Sequence, residues 1–114
     1  MKKPKKSTVK NKLDKEVAAK CRSLGYCEHC LSKENLQWCH VRSRQYLSTR
    51  WMKENYLCLC AASHFWMHKN PLAFAQWFEE KFPGRTAILN KEIQKGETWD
   101  VNRMLKLYAT LDGQ

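Results

Sequence analysis

At 114 residues with 43% hydrophobic content and five Trp, the chain fits one folded domain with a modest core and excludes a disordered one. Twenty-one Lys and Arg against 11 Asp and Glu give a net charge of +10, which points to a polyanionic partner (DNA, RNA or an anionic surface), with a solvated basic face as the competing reading. No run approaches the ~18 apolar residues of a membrane span, and no apolar stretch follows Met1-Lys-Lys-Pro-Lys-Lys as in a signal peptide, so the six Cys read as thiols in a reducing, intracellular (cytoplasmic) setting.

Residues 1–11 carry five Lys and almost nothing apolar. They read as a disordered basic arm, either neutralising phosphates without reading sequence or serving only as a solubilising tail, ahead of a single domain over 12–114. From Leu13 to Leu24 the spacing of Leu13, Val17, Ala18, Cys21 and Leu24 predicts a helix, with Gly25 as its C-terminal cap. Cys21 lies on that apolar stripe as a small core residue. Tyr26-Cys27-Glu28-His29-Cys30 is a Cys-x2-Cys turn, a pattern that serves redox chemistry or metal binding. Leu36–Val41 and Asn55–Cys60 are short and rich in apolar and aromatic residues, as strands are. Arg42, Arg44 and Arg50 fall in the loop between them, where guanidinium forks suit phosphate oxygens. Solvated loop arginines are the competing reading for each.

Ser63 is the expected N-cap of the next helix, on which His64 and His68 stand four apart and project from one face toward a single ion. Asn70 and Pro71 suit the N-cap and first position of a further helix. Leu72, Phe74, Ala75, Trp77, Phe78 and Phe82 line its apolar side, and Pro83-Gly84 ends it. Thr86–Lys95 and Asp100–Leu111 read as two more amphipathic helices, the second capped by Asp100. The fold class that follows is α+β and mostly helical: two strands and a helix around a metal, with flanking helices over 71–112. Beside the His-rich stretch and the downstream pair Cys58-x-Cys60, Cys27-x2-Cys30 reads as a structural zinc knuckle that folds a small domain.

The stretch Cys39-His40-x14-Asn55-x8-His64-x3-His68 resembles the HNH endonuclease family, the ββα-metal nucleases that include colicin-type DNases and many phage enzymes. The resemblance spans roughly Cys27 to Trp77. It implies hydrolysis of DNA phosphodiester bonds, with His40 as general base and Asn55 orienting that imidazole. His64, His68 and Cys39 would be ligands of a divalent ion such as Zn²⁺, Mg²⁺, Mn²⁺ or Ni²⁺. Cys39 departs from the family, which places Asp or His there, and a thiolate favours softer ions. Members with a four-Cys knuckle end its second pair where this chain has Ser63. Cys58 then stands in for the missing ligand, giving Cys27, Cys30, Cys58 and Cys60, because residues two apart on a strand share a face. Two other readings use the same residues: a non-catalytic zinc module binding nucleic acid, and a zinc-stabilised protein-interaction domain, which leaves His40 and Asn55 unexplained.

Overall fold

The computed structural model describes residues 3–112, which are mostly helical around one two-stranded antiparallel sheet. Helix α1 (Lys6–Arg22) leads to strand β1 (Leu36–His40), then the short helix α2 (Leu47–Arg50) and a 3-10 turn (Lys53–Asn55). Strand β2 (Tyr56–Cys60) runs directly into α3 (Ala61–Lys69), and α4 (Pro71–Lys81), α5 (Arg85–Gln94) and α6 (Val101–Asp112) complete the chain.

Helix α1 corrects the expectation of a disordered arm over 1–11. It starts at Lys6, and Val9 is buried four residues ahead of Leu13, continuing the stripe Val9, Leu13, Val17 and Cys21 on one face. A single apolar residue at helical spacing is enough to carry the helix through a lysine-rich stretch, since the lysines lie on the solvent side. Residues 1 and 2 lie outside the described residues. The helix ends ahead of Gly25, whose φ of +84° is the left-handed conformation that an exit from a helix favours.

The sheet pairs Leu36 with Cys60 at one end and His40 with Tyr56 at the other. This ribbon therefore carries Cys60 and His40 at opposite ends. Successive side chains of a strand face opposite sides. On β1, Cys39 is buried in a cluster with Cys27, Leu57, Leu59, Cys60, Met67, Phe74 and Phe78, beneath α3 and α4. Trp38 packs the other way, against the cluster of Val9, Leu13, Val17, Trp51 and Met104 built by α1 and α6. Two small cores thus share one sheet.

The N-cap of α3 is Cys60, whose thiol accepts from the backbone N–H of Ser63, so Ser63 lies inside the first turn instead of capping it. Helix α4 begins at Pro71 as its Asn-Pro sequence predicts, although the Asn70 side chain donates back to the Trp66 carbonyl and makes no cap bond. Asp100 does cap α6: its Oδ1 accepts from the backbone N–H of Arg103 at 2.9 Å.

One ion-pair cluster fastens α1 to the loop after β1. Asp14 accepts from Arg50 Nε and Nη2 at 3.0 and 2.5 Å, from Trp51 Nε1 at 2.8 Å and from Arg44 Nη2 at 3.3 Å. Burial alone would raise this carboxyl's pKa, but its bonds to Arg50 and Trp51 and the two guanidinium charges outweigh that and hold it below 3.8. We expect Asp14→Asn to cost about 2 kcal/mol, the scale for hydrogen bonds to a charged group, read as a lower urea midpoint. The sign of the pH dependence follows. A depressed carboxyl pKa stabilises fully above its unfolded value and loses that contribution as acid titrates it in the folded state. The wild type should show this acid limb below its unfolded value of 3.8, and the variant should lack it.

Candidate functional site

Helix α3 presents His64 and His68 one turn apart, and their Nε2 atoms lie 3.0 Å from each other. Gln37, on β1, meets the other side of His64: Oε1 stands 2.7 Å from Nδ1. A carbonyl oxygen can only accept, so Nδ1 carries the proton and Nε2 presents its lone pair. An imidazole fixed in this way, with its far nitrogen held by a neighbour, is the usual arrangement of a metal-ligating histidine. Two Nε2 atoms at this separation can share one ion about 2.1 Å from each. Gln37 carries no motif signal; only the fold brings it to His64 across 27 positions.

Both histidines line an open cleft of about 760 Å³, together with Trp38, His40, Arg42 and Arg44, and with Met67, Phe74 and Phe78 as an apolar wall. His40 stacks obliquely on Trp38 with ring centroids 4.2 Å apart. Its Nε2 is buried and has no hydrogen-bond partner. Burial first, then the positive charges of Arg44 and Arg50, push its pKa down to about 4. The ring is accordingly neutral at physiological pH, as a proton acceptor must be.

Asn55 is fully buried, and its side-chain hydrogen bonds go to the Arg42 backbone and not to the His40 ring. Its Oδ1 accepts from the Arg42 backbone N–H at 2.7 Å, its Nδ2 donates to the Arg42 carbonyl at 3.3 Å, and its own carbonyl accepts from the Val41 N–H at 2.8 Å. It locks the backbone immediately after His40. The expected orienting bond to the imidazole is replaced by a clamp on the strand that bears it.

Two further expectations are corrected here by the side-chain placements. Cys39 does not join the histidines: it is 1% exposed in the α3–α4 core, and burial, reinforced by the neighbouring thiols, pushes its pKa up to about 12. Adjacent residues of a strand cannot face one way, so Cys39 turns inward where His40 turns to the cleft. Arg50 is not free to grip phosphate, since Asp14 takes its fork and only 13% of its side chain is exposed. Arg42 and Arg44 remain on the cleft, the former held by Asn90 Oδ1 at 2.9 and 3.2 Å.

At the other end of the ribbon, the ligand atoms of Cys27, Cys30 and Cys60 all lie within 4.8 Å of one another, a cluster able to hold a metal ion. Burial opposes ionisation of Cys27, but bonds from the Ser63 hydroxyl and from nearby backbone N–H groups prevail and bring its pKa down to about 6. A thiol that ionises so readily suits zinc. Cys58 is not part of this cluster. It pairs with Trp38 in the register, packs beside Cys21 and accepts at its backbone carbonyl from Glu28 N–H at 2.8 Å. Cys60 lies where the strand turns into α3, so the alternation that would put both thiols on one side no longer holds there. His29, inside the Cys-x2-Cys turn, is half-buried and stacks on Trp66 with ring centroids 4.3 Å apart.

No family model, curated protein or solved structure matches this chain. Among the described residues, no helix is long and apolar enough to cross a membrane.

Proposed function

We propose that the chain is a metal-dependent endonuclease of the HNH type that hydrolyses phosphodiester bonds in DNA, stabilised by a structural zinc at Cys27, Cys30 and Cys60. The observation that carries the reading is the convergence of His64 and His68, Nε2 to Nε2 at 3.0 Å, in a cleft that also holds His40, Arg42 and Arg44. The order β1, β2, α3, with α2 and a 3-10 turn between the strands, supports this reading.

In this reading His64 and His68 hold a divalent ion whose Lewis acidity would stabilise charge on the scissile phosphate and the leaving oxygen. His40, uncharged, takes the proton from the attacking water. Asn55 fixes the backbone that carries His40, and Gln37 fixes the tautomer of His64. Arg42 and Arg44 face the phosphate from the cleft rim, with Arg42 steered by Asn90. Because these groups are placed to contact phosphates, sequence preference should be weak.

The direct test incubates supercoiled plasmid with the protein and Mg²⁺, Mn²⁺, Ni²⁺ or Zn²⁺ in turn, with His40→Ala alongside. Nicking by wild type alone supports the enzyme. DNA binding without cutting under any ion favours a second reading, a non-catalytic zinc-stabilised nucleic-acid-binding module, for which the inward turn of Cys39 speaks because it leaves two histidines as protein ligands. Metal content separates the two centres. His64→Ala should lose the cleft ion and keep one zinc. Gln37→Leu, which frees the His64 tautomer, should weaken the cleft ion by about 10- to 100-fold while leaving the zinc in place, as measured by calorimetric titration.

A further inference from the structure

Three thiols leave a tetrahedral zinc one ligand short. We propose that the fourth vertex of the knuckle belongs to Ser63, whose Oγ acts as an oxygen ligand with His29 as its positioning residue. This rests on the zinc reading of the Cys27, Cys30 and Cys60 cluster and not on any catalytic activity.

The two turns that form the knuckle are matched. In the first, Cys30 N–H donates to Cys27 Sγ at 3.4 Å; in the second, Ser63 N–H donates to Cys60 Sγ, also at 3.4 Å. Cys60-x2-Ser63 thus repeats the geometry of Cys27-x2-Cys30, and Ser63 stands where Cys30 stands in its partner turn. Cys30 Sγ and Ser63 Oγ each lie 3.5 Å from Cys60 Sγ. The serine is 4% exposed, so its hydroxyl faces the cluster and not solvent.

His29 supplies what a neutral hydroxyl lacks as a ligand. Its Nδ1 is 2.9 Å from Ser63 Oγ, and its ring is fixed by stacking on Trp66 and by an edge contact with Trp77 at 5.0 Å. With the thiolates on the ion, the Ser63 O–H turns from Cys27 to donate to Nδ1, and the oxygen lone pairs are left for the ion and gain electron density from the bond. A neutral fourth ligand also gives the centre one negative charge fewer than four thiolates would.

Cobalt(II) titration of the full chain in a His64→Ala background, which silences the cleft ion, reads the coordination directly, and zinc competition gives affinity. The His64→Ala chain should bind one Co²⁺ with the sulfur-to-metal charge-transfer intensity of three thiolates. Ser63→Cys should raise that band to a four-thiolate level and tighten zinc binding. Ser63→Ala and His29→Ala should each weaken zinc by about 10- to 100-fold, and the double variant should be no weaker than Ser63→Ala, because His29 acts through the hydroxyl. A metal-loaded Ser63→Cys with the wild-type spectrum overturns the assignment while sparing the three-cysteine knuckle. Loss of zinc in His29→Ala with Ser63→Ala unaffected also overturns it, making the imidazole itself the ligand. Failure of the His64→Ala chain to bind zinc or cobalt removes knuckle and proposal together.

Discussion

His40→Ala should lower the rate of plasmid nicking by about 10²- to 10⁴-fold, the range supplied by a positioned general base, with unfolding midpoint and zinc content close to wild type. His40 is only half-buried at the end of β1 and makes no hydrogen bond through Nε2, so truncation breaks no bond there. The pH profile offers a second check. Burial and the flanking arginines hold the ring neutral down to about pH 4. The rate should therefore not fall with the ordinary histidine titration near pH 6.5, and any acid limb from the base belongs nearer pH 4. A profile that drops through 6.5 without loss of bound metal would mean that the ring is more solvated than its packing against Trp38 implies. Retained nicking in the variant would remove His40 from the reaction.

The second large effect concerns the zinc proposed at Cys27, Cys30 and Cys60. Structural zinc contributes on the order of 10 kcal/mol in small modules, and a domain of this size has little reserve to replace it. Cys60→Ala should abolish zinc binding and the cooperative thermal transition, and strong chelation of the wild type should do the same. Cys60 is the sensitive choice because it ends β2, caps α3 and faces Cys30. The α1–α6 cluster contains no knuckle residue, so part of the helical signal should survive. Cys58→Ala should instead retain zinc, since that thiol lies beside Cys21. A chain that stays cooperatively folded after complete zinc removal would show that the cluster is a set of buried thiols and nothing more.

What could be read in advance divides by sequence separation. The strands, the Asn-Pro start of α4, the Asp100 cap and the His64–His68 pair all follow from residues within about one turn or one strand of each other. The start of α1 was also available locally, in the spacing of Val9 to Leu13, but the density of lysine masks a stripe of one residue per turn. Cys39 was legible too, for a strand cannot send consecutive side chains into one cleft. The placements of Arg50 and Gln37 were not: Asp14 is 36 positions from the first and His64 is 27 from the second, and no local pattern selects those partners. The assignment of Cys58 failed for a geometric reason. Period-two alternation describes a strand's interior, and Cys60, at the junction with α3, packs with Leu57 and Leu59 of the opposite face.

That the chain is helical from Lys6 onward has a thermodynamic corollary for association. Lys6 and Lys12 ride on backbone that is already ordered, spaced by a rise of about 1.5 Å per residue. Docking them on a polyanion then involves no coil-to-helix transition, so circular dichroism at the amide bands should stay flat during a DNA titration, and the heat-capacity change should lack the large negative component of coupled folding.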